Sequence, residues 1–138
     1  MLRTLLVFFG QAGLLAPSAT PALASGIMSA GVLLNCASYT FVAQTSNLTP
    51  GSQYSIFYNF ILTSITGEPP LSSANTITFT TVSTTSTQTL IQAFVPPLTA
   101  DYTGLGSATL VNITTSTTPY TALITFSPSP VSCAPLTL

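Results

Sequence analysis

From Gln53 to Leu62 the chain alternates without a break. Tyr54, Ile56, Tyr58, Phe60 and Leu62 put a large apolar or aromatic side chain at every second position. Successive side chains of a strand point to opposite faces, so these five share one face. A helix would scatter them around its circumference. The stretch therefore specifies a core strand, and the remaining chain has to supply a surface that covers it. A tight turn at Pro50-Gly51 leads into it. The opposite face of the strand holds Phe57 and Ile61 beside Ser55 and Asn59, more apolar than a solvent face needs. The N-terminal segment, from the same chain or a neighbouring one, is the expected cover.

The flanking sequence continues in short extended runs. Ser38 to Gln44, Thr76 to Thr80, Leu90 to Val95, Ser107 to Thr114 and Tyr120 to Phe126 read as strands, separated by clusters of Pro, Gly, Ser and Thr. Val82 to Thr89, almost wholly Ser and Thr, reads as a solvated hairpin or a twisted continuation of the strand before it, and Asp101 to Gly104 reads as a turn. Residues 25–34 alternate weakly around two glycines and read as an edge strand or an extended arm. With about seven strands and no apolar 3.6-residue period, the pattern implies an all-β, antiparallel Greek-key β-sandwich. A jelly roll or a small barrel fits the same strand count.

The N-terminus has a different character. Met1-Leu2-Arg3 carries one positive charge, an apolar run from Leu5 reaches Ala16, and Ala22-Leu23-Ala24 is a small-x-small cleavage signal. This is the layout of a secretory signal peptide. The expected organisation is a cleaved segment 1–24 and one domain over 25–138. A membrane anchor is the alternative, but the run is shorter than the ~20 residues that span a bilayer. A lipoprotein signal ending at Cys36 would need a small residue where Asn35 stands.

Beyond that segment the charged side chains reduce to Glu68 and Asp101, in a chain whose composition is 46% hydrophobic. With no Lys, Arg or His after Arg3, no basic surface for phosphates can form, so nucleic acid is excluded as a partner. Anionic lipid is not attracted either. The only cysteines, Cys36 and Cys133, lie near the two ends of the domain. In an exported chain they read as one disulfide, which requires the first and last strands to be neighbours. Two unpaired buried thiols are the alternative.

Leu48-x-Pro50-Gly51-x-x-Tyr54 resembles the Leu-x-Pro-Gly-x-x-Tyr segment of fibronectin type III domains. The resemblance covers about fifteen residues around a tyrosine corner. It implies that the Tyr54 hydroxyl bonds to backbone just upstream and that Leu48 packs beneath it. In that family the segment comes late in the domain, whereas here about five strand-like runs follow it, and Trp is absent. The resemblance therefore implies an immunoglobulin-like architecture and the local corner, not the strand order.

The chemistry available is sparse. Without His, Ser-His and Cys-His nucleophile systems are excluded. Glu68 and Asp101 form the one conceivable acid–base or single-carboxylate calcium arrangement, and both sit in turn sequences where a solvated charge is expected. The expectation is a non-enzymatic protein with no cofactor and no metal. Asn47-Leu48-Thr49 and Asn112-Ile113-Thr114 fit the N-glycosylation pattern, with Pro50 weakening the first. Thr76, Thr78 and Thr80 make one Thr-x-Thr row, too little for an ice-binding array. The near absence of charge leaves sheet edges and faces unguarded against self-association. The sequence thus points to a secreted or cell-surface structural or adhesive subunit of a filament, coat or matrix, with segment 25–34 available for strand addition to a neighbour. The alternative is a monomeric binding module that docks carbohydrate or protein through loops containing Tyr102 and Tyr120.

Overall fold

The fold is that of a computed structural model, and it describes residues 26–134. The expected signal segment 1–24 lies outside the described residues. The strands are β1 (Ile27–Leu34), β2 (Ser38–Ser46), β3 (Gln53–Ser64), β4 (Leu71–Thr80), β5 (Ser86–Ala93), β6 (Tyr102–Asn112) and β7 (Tyr120–Ser127). Among the described residues there is no helix.

The seven strands form one sheet in the order β4-β3-β6-β7-β1-β2-β5. It curls into a nearly closed barrel whose two ends, β4 and β5, do not pair with each other. The sheet is mixed rather than antiparallel throughout. Every neighbouring pair is antiparallel except β1 and β7. β7 joins the two halves: Tyr120 to Leu123 pair with β6, and Ile124 to Ser127 pair in parallel with β1.

This placement corrects the reading of the N-terminal segment. Ile27–Leu34 is neither an arm nor an edge strand, because it lies inside the sheet between β7 and β2. Its small residues suit that position, with Ala30 and Val32 buried beneath the sheet. Nor does it cover the outer face of β3, where Phe57 and Ile61 stay exposed.

The core forms around β3. Tyr54, Ile56, Tyr58, Phe60 and Leu62 are all buried. Full burial of each is worth about 1.5–3 kcal/mol. From the opposite half, Phe41 stacks on Tyr58 with ring centroids 4.1 Å apart, and Tyr39 meets Phe60 edge-on at 4.9 Å. β6 lies close against β3 because Gly106 faces Phe60 in the register; a Cβ there would stand 2.3 Å from the Asn59 carbonyl oxygen. Tyr102 begins β6 and is buried, so the Asp101–Gly104 segment is not a turn.

Candidate functional site

The loops at one end of the barrel hold it shut. The Thr49 amide donates to the Tyr54 hydroxyl at 2.8 Å, and Leu48 is buried beside it. Gly51, at φ 86°, donates its amide to the Thr81 carbonyl, and the Leu48 amide donates to Thr84. The β2–β3 turn is thereby tied to the short β4–β5 connection, where β4 ends and β5 begins. Asn47 is exposed beside this turn. Asn112 is buried, its Oδ1 accepts from the Thr115 amide, and its Nδ2 is enclosed without a partner. A glycan would have to attach to that enclosed nitrogen, so the folded domain presents the sequon at Asn47 and hides the one at Asn112.

At the opposite end the edges part. A cleft of about 430 Å³ opens between the start of β4 and the end of β5. Its walls are Ser73 and Asn75 on β4 and Gln92 and Phe94 from β5 and its extension, over a floor of Tyr39 and Phe60. A hydroxyl chain crosses the floor. Tyr58 and Tyr39 share a hydrogen bond of 2.8 Å, and Tyr39 and Ser73 share one of 2.6 Å. Each hydroxyl has one proton to give, so the three groups satisfy one another in sequence. Burial first, and then the bond to Tyr39, push the Tyr58 phenol well above its usual range.

Covalent and polar ties brace this end. Cys36 and Cys133 form a disulfide with Cα atoms 5.5 Å apart. It links the β1–β2 turn to the segment that follows β7, consistent with β1 and β7 being neighbours. The Phe94 and Leu98 amides donate to the Ala37 and Cys36 carbonyls, fixing the cleft wall to that turn. Asp101 Oδ1 accepts from the Cys133 and Ala134 amides at 2.8 and 2.9 Å. Glu68 Oε1 accepts the Ser64 and Thr66 hydroxyls, and these bonds, Ser64 foremost, hold its carboxyl below the usual range. Glu68 is thus engaged by its own loop, and Asp101 by the segment that follows β7. Among the described residues no group of three or more His, Cys, Asp or Glu side chains could hold a metal. Tyr102 is buried and bridges to Val131, while Tyr120 begins β7, so neither stands in a loop as the binding-module reading required.

The second notable surface is the outer face of β4, β3, β6 and β7. Phe57 and Ile61 are 45% and 51% exposed, and Leu105 and Leu123 are 76% and 77% exposed. The register places them together: Ile61 lies opposite Leu105, and Leu123 lies opposite Ser107, two positions along β6. Threonines at 76, 109 and 121 continue the face, which carries no charged side chain. Sequence alternation shows Phe57 and Ile61, whereas Leu105 and Leu123 join them only through the pairing. Comparison with protein-family models, with curated proteins and with solved structures finds no match for this chain. No helix among the described residues is long and apolar enough to cross a membrane.

Proposed function

We propose that this chain is a non-enzymatic extracellular structural or adhesive module that associates with copies of itself through the outer face of β4, β3, β6 and β7. The observation that carries the reading is the exposure of Phe57, Ile61, Leu105 and Leu123 on one uncharged sheet face. Together they leave on the order of 400 Å² of apolar surface in water, a size at which patches mark interaction sites. Both carboxylates sit in loops and not on the strands of this face, which itself carries no charge to repel a second copy. The segment first expected to join neighbours is already used inside the sheet, so strand addition by that segment is closed as a route to association. The disulfide supports an oxidising, extracellular setting for the domain.

The proposed fold is an immunoglobulin-type Greek-key sandwich. In that fold the first, second and fifth strands share one sheet, and the third, sixth and seventh share the other. The neighbours β1-β2-β5 and β3-β6-β7 follow that division. β4 departs from the constant-domain arrangement by lying beside β3 instead of β5. Sedimentation velocity and electron microscopy of the disulfide-bonded protein test the function. Concentration-dependent assembly that Leu105→Lys with Leu123→Lys abolishes, with the fold retained by circular dichroism, is the expected result. A wild type that stays monomeric at high concentration would overturn it.

A further inference from the structure

We propose that the cleft between the parted ends of β4 and β5 is a binding site for a neutral carbohydrate chain. This site is separate from the outer sheet face and does not depend on the association described above. The volume of about 430 Å³ lies within the range of ligand pockets, and the cleft is open to solvent along one side. No charged side chain lines it. A charged ligand would lose hydration there and gain no partner, which excludes phosphorylated, sulfated and uronate ligands as preferred occupants.

The polar groups are distributed in a way that suits a sugar. Asn75 on one wall uses Oδ1 for the Thr76 amide, leaving Nδ2 free to donate. Gln92 on the facing wall makes no side-chain hydrogen bond among the described residues, so its amide can both donate and accept. Both side chains are partly exposed, and both line the cleft. Beside Gln92 on the same wall is the Phe94 ring, held by Tyr39 at 5.7 Å, and Pro96 and Pro97 continue the lining. A pyranose offers hydroxyls around its rim and C–H groups on its faces. The two amides match the rim and the aromatic and proline surface matches a face. An extended peptide would instead bond to the backbone of the β4 or β5 edge and would need neither amide.

The test uses the disulfide-bonded full chain and a panel of neutral hexasaccharides: cellohexaose, xylohexaose, mannohexaose and chitohexaose. Each is titrated to about 10 mM, tenfold above a Kd of about 1 mM, while the side-chain amide resonances of Asn75 and Gln92 and the backbone amides of Ala74 and Ala93, which remain in every variant, are followed by NMR. The expected result is a saturable shift of these resonances with at least one sugar. Gln92→Ala and Asn75→Ala should each weaken that binding about tenfold, the effect of one lost hydrogen bond, with the thermal midpoint unchanged for Gln92→Ala and circular dichroism showing the fold retained for Asn75→Ala, which also loses the bond from the Thr76 amide. Phe94→Leu, which keeps an apolar side chain, should weaken it while Leu105→Lys leaves it unchanged. No shift with any of the four sugars would overturn the proposal. So would binding that survives the Asn75→Ala/Gln92→Ala double substitution, or binding of an uncharged Ser/Thr peptide alone, which would assign the cleft to strand addition.

Discussion

Tyr39 and Tyr58 share one hydrogen bond, yet removing their hydroxyls should have unequal effects. Tyr39 is the middle of the chain and Tyr58 is its end. In Tyr58→Phe, Tyr39 keeps its bond to Ser73, no buried group is orphaned, and the Phe41 stack can persist. The expected loss is about 1 kcal/mol, that of one net hydrogen bond. In Tyr39→Phe the ring contacts with Phe60 and Phe94 can persist, but the Tyr58 hydroxyl is left on a fully buried residue with no partner. Ser73 is only half-buried and can turn to water. The orphaned phenol adds a desolvation cost, so the loss should be about 2–3 kcal/mol. Changing both removes the orphan, and the double variant should be no less stable than Tyr39→Phe alone. Urea unfolding with the disulfide intact resolves these values, because 2 kcal/mol moves the midpoint by about 1 M at a slope of about 2 kcal/mol/M. A Tyr58→Phe loss equal to or larger than that of Tyr39→Phe, or two losses that simply add, would refute the chain of hydroxyls.

The same phenol predicts an alkaline limit. The folded state holds the Tyr58 proton more tightly than the unfolded chain, where tyrosine ionises near 10.0. Its contribution is therefore complete below about pH 10 and is lost as the pH rises beyond it, and Tyr58→Phe should flatten unfolding free energy measured across that range. Gly106→Ala should cost about 3 kcal/mol or more by thermal or urea unfolding, since the new methyl meets β3 backbone rather than a flexible side chain, and a near-neutral result would contradict the close β3–β6 approach. Replacing Cys36 and Cys133 together by Ala opens a crosslink spanning 97 residues and should lower stability by about 2–5 kcal/mol, read as a shifted urea midpoint.

Local pattern and long-range pairing divide what was readable in the chain. The Tyr54–Leu62 row was plain because large side chains alternate over a full strand. β1 looks like an arm or edge because Ser29, Ala30 and Gly31 are loose in sequence, and only their pairing with β2 and β7 makes them interior. The start of β6 looked like a turn for a similar reason. Gly104 and Gly106 are turn residues by composition, but here they leave room for the Phe126 ring and for β3. The beginning of β4 has no sequence signal because Leu71-Ser72-Ser73-Ala74 carries little apolar alternation, as befits an edge strand that is never fully buried. The cleft has no local signature, since it arises where two edges distant in sequence diverge. The outer apolar face was half legible: Phe57 and Ile61 stand out by alternation, while Leu105 and Leu123 needed the register.

The claim that this face joins copies of the chain is tested most directly by methyl NMR of the disulfide-bonded protein across a dilution series. The expected result is concentration-dependent shifts at Ile61, Leu105 and Leu123, with Leu33 and Ile91, exposed on the other half of the barrel, unchanged. Shifts confined to Leu33 and Ile91, or spectra that do not change with concentration, would contradict it.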